Sequence, residues 1–206
     1  MGWVRCGGGS SSTDVHLQLK FQDGTSGQST YTIDEDGIYL VAALYQRFGS
    51  GSVTLPSGVT ADYSYTFDYD GRGMTFAIAS LSKNDVVTIT TSFASSWPAG
   101  AKIVVRLPMS VSSMLASKQQ NDTTCTFTAS ELPSGSSGEV LCFCGNYSQS
   151  LTGSADYSYL PADVDVVAGV VGTNTFIRIF ICDVSIFPDV SLKSWSGGST
   201  MVAVMQ

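Results

Sequence analysis

Histidine occurs once in 206 residues, at His16, and lysine and arginine together number only ten. A Ser-His-Asp or Cys-His mechanism would have to run through His16, yet no Gly-x-Ser-x-Gly elbow offers it a nucleophile. Glutamate is confined to Glu35, Glu131 and Glu139, each beside turn residues, so spacing singles out no acid and base pair of a glycoside hydrolase. The expectation is a protein without catalytic residues. Its basic residues stand singly against 17 acidic ones, a net charge of -7, which provides no stripe to neutralise phosphates and points away from nucleic acid. Long apolar runs are lacking too. The most apolar late stretch, Thr175-Phe176-Ile177-Arg178-Ile179-Phe180-Ile181-Cys182-Asp183, contains an arginine and falls short of the about 20 residues that a bilayer crossing needs, so no membrane span is expected.

Cysteine is sparse and oddly numbered, with five residues at 6, 125, 142, 144 and 182. Met1-Gly2-Trp3-Val4-Arg5-Cys6 lacks the apolar core of a secretory signal, which places synthesis in a reducing compartment and predicts free thiols. Cys142-Phe143-Cys144 sets two sulfurs on one face of a strand, with Cys182 a candidate neighbour. A zinc site would want four ligands in paired spacings, and neither a second pair nor a suitable histidine exists. Buried thiols packing as small hydrophobes account for them, and neither metal nor cofactor is expected.

What is abundant is turn chemistry between short β-patterned runs. After Gly7-Gly8-Gly9-Ser10-Ser11-Ser12-Thr13, the stretch Val15-His16-Leu17-Gln18-Leu19-Lys20-Phe21 alternates with period two, placing Val15, Leu17, Leu19 and Phe21 on one face. Strands follow over Ser29 to Ile33, Ile38 to Tyr45, Ser52 to Leu55, Tyr63 to Tyr69, Met74 to Ala79, Val86 to Thr90 and Ile103 to Leu107, with turn signals about every 8–12 residues, as in a sandwich. Ile38 to Tyr45 reads as a central strand buried on both faces.

The later part resembles the earlier one. Ala61-Asp62-Tyr63-Ser64-Tyr65 recurs as Ala155-Asp156-Tyr157-Ser158-Tyr159, and Thr30-Tyr31-Thr32 has a counterpart in Thr126-Phe127-Thr128. Leu55-Pro56-Ser57-Gly58 recurs as Leu132-Pro133-Ser134-Gly135, but out of order. Tandem duplication explains the first two matches, with one continuous sandwich as the rival. The chain is therefore read as all-β: a Gly/Ser-rich arm over residues 1–13, then two antiparallel, jelly-roll-like β-sandwich domains over 14–108 and 121–206. The stretch 109–120 between them is linker or helix-compatible.

Tyr63, Tyr65, Phe67 and Tyr69 form an aromatic row on one face of a strand. A sandwich needs one heavy inner face per strand, so the row is expected to be core; if solvated it would instead be a platform for sugar rings or a partner protein, with Tyr63, Tyr65 and Tyr69 the candidate contacts. Asp34-Glu35-Asp36-Gly37 and Asp68-Tyr69-Asp70-Gly71 gather carboxylates, but the EF-hand pattern is not matched and Asp-Gly turns explain both.

The order Asp36-Gly37-Ile38-Tyr39-Leu40-Val41-Ala42-Ala43, Leu55-Pro56-Ser57-Gly58-Val59 and Leu81-Ser82-Lys83-Asn84-Asp85-Val86-Val87-Thr88-Ile89 resembles small jelly-roll modules of tailed-bacteriophage virions. More distantly it is similar to C1q-like and carbohydrate-binding domains. The resemblance covers residues 15–107. It implies a virion structural protein, of decoration, head-fibre or tail accessory type, assembled in the host bacterial cytoplasm. Its partners would then be other virion proteins and further copies of itself. An arm with Trp3, Val4, Arg5, Cys6, Gly7, Gly8 and Gly9 suits anchoring to a neighbouring subunit. The alternative is an adhesion module that binds a cell-surface glycan.

Overall fold

The computed structural model describes residues 17–45, 49–69, 72–93, 100–120, 124–147, 165–170, 175–187, 190–193 and 199–206. Two compact units divide the chain, one made mainly of Gln18–Val111 and the other mainly of Ser112–Gly169 and Phe176–Gln206.

Among the described residues the first unit holds eight strands: β1 (Gln18–Asp23), β2 (Gly27–Thr32), β3 (Gly37–Tyr45), β4 (Ser50–Thr54), β5 (Tyr63–Tyr69), β6 (Arg72–Leu81), β7 (Val86–Ser92) and β8 (Gly100–Leu107). They form a five-stranded sheet in the order β1-β8-β3-β6-β5 and a three-stranded sheet in the order β2-β7-β4. Every pairing is antiparallel, and the pairs β1 with β8, β2 with β7 and β3 with β6 nest inside one another, as in a jelly roll. Ile33, Tyr39, Val41, Ala43, Ala79, Val87, Ile89 and Val104 meet between the sheets as a dry core. Turn chemistry closes the strands as read from the sequence. Val59 N–H donates to Pro56 O at 3.1 Å, with Gly58 at φ +86° supplying the left-handed position that a type II turn requires.

The second unit begins at β9 (Met114–Gln120), followed by β10 (Thr124–Phe127), β11 (Glu139–Tyr147), β12 (Asp165–Val170), β13 (Thr175–Asp183), β14 (Val190–Lys193) and β15 (Ser199–Met205). Met114–Gln120, the greater part of the stretch read as linker, is thus a strand, because β9 pairs along its length with β15. The strand order β12-β13-β11-β15-β9, with β10 beside β14, is the order of the first unit repeated, β9 standing for β1, β11 for β3 and β15 for β8. The likeness extends to a defect. In β1 the pairing with β8 steps from Phe21 opposite Val104 to Leu19 opposite Val105, skipping Lys20, and in β9 it steps from Ala116 opposite Val204 to Met114 opposite Met205, skipping Leu115. A bulge conserved in place through both halves supports duplication more strongly than the short sequence matches do. Tyr31 and Phe127, paired by one of those matches, both lie on the strand after the bulged one and pack inward. The Leu-Pro-Ser-Gly match joins different connections, after β4 and after β10. Its recurrence is turn chemistry, with Gly58 and Gly135 both at positive φ.

The bulge also overturns one expectation. By simple alternation Leu19 and Phe21 share a face. With Lys20 skipped, Phe21 packs on the core while Leu19 is 36% exposed. β3 is buried on both faces as expected: Val41 and Ala43 face the three-stranded sheet, whereas Leu40, Ala42 and Leu44 lie on the opposite face with Phe76, Ile78, Ile103 and Val105, all essentially without solvent contact.

Candidate functional site

The anchoring residues Trp3, Val4, Arg5, Cys6, Gly7, Gly8 and Gly9, together with His16, lie outside the described residues. So does Ala155-Asp156-Tyr157-Ser158-Tyr159. The aromatic row falls where the sequence put it, on β5, an edge among the described strands. Its face differs from the expectation of an inner heavy face. Tyr63, Tyr65 and Phe67 stand opposite Ile78, Phe76 and Met74, so they belong to the outer face of the five-stranded sheet. The physical reason is the mismatch in sheet width. Three strands cannot cover the inner face of five, so the inner-facing positions of β5, Ser64 and Thr66, are solvated and carry hydroxyls, while the heavy residues turn the other way. The row is divided in burial: Phe67 is 6% exposed and Tyr65 40%, the two rings meeting edge-on at 4.7 Å. Tyr63 is half-buried, its ring 6.1 Å from that of Phe76, and burial followed by the neighbouring Tyr65 raises its phenol above the usual range. Tyr69 closes the strand opposite Arg72.

The uncovered strip bounds a cleft of about 340 Å³ between β4 and β5–β6, lined by Val53, Ser64, Thr66, Thr75 and Ala77, with Tyr65 and Phe76 from the alternating positions. The Thr66 and Thr75 hydroxyls are 3.2 Å apart across the strand pair. Beyond the end of this strip Tyr45 O–H donates to the Asp68 carboxylate at 2.9 Å, and burial, then this contact, raises the Tyr45 phenol.

Two charged clusters stand out among the described residues of the first unit. At one end of the core, Lys102 on β8 is fully buried. Its Nζ lies 2.8 Å from Asp23 Oδ2 and donates to Ser29 Oγ at 2.7 Å and to Gly27 O at 3.2 Å, joining the two sheets. Burial pushes the Asp23 carboxyl up, but hydrogen bonds from Lys102, Ser29 and Thr25 outweigh it and hold the group far below the usual carboxylate range. Sequence reading missed this cluster. Its one signal is a lysine inside the apolar run Ala101-Lys102-Ile103-Val104-Val105.

At the other end, the Asp34-Glu35-Asp36 turn is held by cations. The residue displaced by the bulge, Lys20, reaches Glu35 at 2.6 Å and Asp34 at 3.1 Å, while Arg106 lies 3.4 Å from Glu35 and donates to Asp36 O. Burial lowers the Lys20 ammonium pKa, yet its bonds to Glu35 and Asp34 leave it raised. Asp34 and Glu35 serve ion pairs and the Asp36 carboxylate accepts from Lys83 N–H, and among the described residues no group of three His, Cys, Asp or Glu has the geometry to hold a metal.

In the second unit Cys125, Cys142, Cys144 and Cys182 form no disulfide and share one core with Phe127, Phe180 and Val204. Cys142 Sγ and Cys144 Sγ are 3.6 Å apart. Burial first, then the bond to Cys144 and the nearby Cys182, push the Cys142 thiol well above its usual range, the opposite of what a reactive thiolate needs.

Neither a family model, nor a curated protein, nor a solved structure matches the chain.

Proposed function

We propose that the chain is a structural protein of a tailed-bacteriophage virion, a decoration, head-fibre or tail accessory protein that attaches through residues 1–13 and displays two jelly rolls. The observation that supports this most is the repetition of one jelly roll within the chain, down to the bulge at Lys20 and Leu115. Jelly rolls recur in capsid and lectin domains, and fold alone does not separate these uses. The phage-like run from Asp36 to Ile89 and the Gly/Ser-rich sequence ahead of the first strand favour the virion use. Copies of the chain assembling together, or with other virion proteins, follow from that role.

The test is mass spectrometry of particles purified from cells that express the gene. The full chain should band with the particles, and deletion of residues 1–13 should release it while its folded stability stays unchanged. A deleted chain that still bands with particles refutes the anchoring role, and absence of the full chain from particles refutes the assignment. A second reading, a glycan-binding adhesion module, is favoured by Tyr65, a large aromatic left exposed on an edge strand.

A further inference from the structure

We propose that the cleft beside β5 is a subsite for a neutral saccharide, read by the hydroxyls of Ser64, Thr66 and Thr75. The inference rests on the glycan-binding reading and relocates its chemistry. The aromatic row was the natural place to seek a sugar platform, but on β5 Tyr65 alternates with Ser64 and Thr66 and borders the cleft from the opposite-facing position, and Phe67 is buried. The cleft's volume of about 340 Å³ lies at the small end of the range for ligand sites, enough for one or two sugar rings.

Its lining selects the ligand class. Among the described residues no charged side chain lines it, so there a phosphate or a uronic acid would lose hydration without gaining a counter-ion. Thr66 and Thr75, 3.2 Å apart, present two hydroxyls that can each donate or accept, a match for neighbouring hydroxyls on a sugar ring. Val53 and Ala77 supply an apolar floor for the ring's C–H face. Because β5 is an edge among the described strands, a chain leaving the cleft can cross the strand and lay its next ring on Tyr65, so the two faces would bind successive units of one polymer.

The test is titration of the full-length protein, followed by amide chemical shifts, with cellohexaose, maltohexaose, mannohexaose and chitohexaose to low-millimolar concentration. Shifts centred on Ser64–Thr66 and Thr75–Ala77 are expected for at least one of them. The double variant Thr66→Val/Thr75→Val keeps the shape of the side chains and should bind that sugar about tenfold more weakly with unchanged melting. Tyr65→Ala should weaken the hexaose and leave a disaccharide of the same series unaffected. If none of the four hexaoses binds, the subsite and the glycan-binding reading fall together. If one binds and the threonine double variant binds it equally well, the subsite alone is refuted and the adhesion reading stands.

Discussion

Lys102 offers the sharpest test of how the first jelly roll is held together. Replacing it with methionine keeps the length of the side chain and deletes its charge, leaving the Asp23 carboxylate with only the Ser29 and Thr25 donors. Breaking one side of a buried pair commonly costs about 3–5 kcal/mol. Asp23 retains 22% of its side-chain exposure, so water offsets part of the loss and the lower end, about 3 kcal/mol, is expected. For a unit of this size that lowers the melting temperature by on the order of 10–20 °C. The assay is calorimetry of the full chain together with hydrogen exchange at the β1 and β8 amides. A cycle with Asp23→Asn should show coupling of about 1–3 kcal/mol, since the double variant strands neither charge. The pH dependence follows by sign. Asp23 has a depressed carboxyl in the folded state, so its stabilisation is complete above the unfolded value of about 4 and is withdrawn as pH falls. Lys102→Met should flatten that acid limb. Melting within about 0.5 kcal/mol of the parent, or an unchanged acid limb, would refute the reasoning.

Three further outcomes are expected. Ala42→Asp and Ala43→Asp, on opposite faces of β3, should each cost at least about 3 kcal/mol in denaturant titrations, because both faces are dry; tolerance of Ala42→Asp would show that the outer face is solvated. Phe67→Ala should cost about 3 kcal/mol and Tyr65→Ala less than about 1 kcal/mol by the same titration, in keeping with their burial. Iodoacetamide at mildly alkaline pH, read by peptide mapping, should leave Cys125, Cys142, Cys144 and Cys182 unlabelled in the folded chain and alkylate all four in denaturant.

Much of the architecture was legible because period-two patterning and turn residues are local. Tyr63–Tyr69 is a strand with the boundaries read from the sequence, and β3 is the doubly buried central strand that its apolar run indicates. Face assignments fared worse because they depend on partners. One skipped residue at Lys20 reverses Leu19 relative to Phe21, and nothing in the alternating run marks it. The aromatic row was placed on the right strand and the wrong face, because its orientation depends on how many strands the opposing sheet supplies. Lys102 was overlooked because its partners, Asp23 and Ser29, become neighbours only once β1, β2 and β8 have come together. The region from 109 to 120 read as linker because Met114–Gln120 mixes helix-forming residues with a weak alternation, and its pairing with β15 decides the matter.

Two halves with the same strand order could exchange equivalent strands while folding, and the residues at the end of the shared core oppose this. Asp23 faces Lys102 across β1 and β8, whereas the matching positions on β9 and β15 are Lys118 and Val202. Were β9 to settle in the berth of β1, two ammonium groups would be driven together in a dry interior; were β15 to replace β8, Asp23 would be marooned against valine. Among the described residues Lys102 is the one buried lysine, so an exchanged strand would leave either it or Asp23 without its counter-ion.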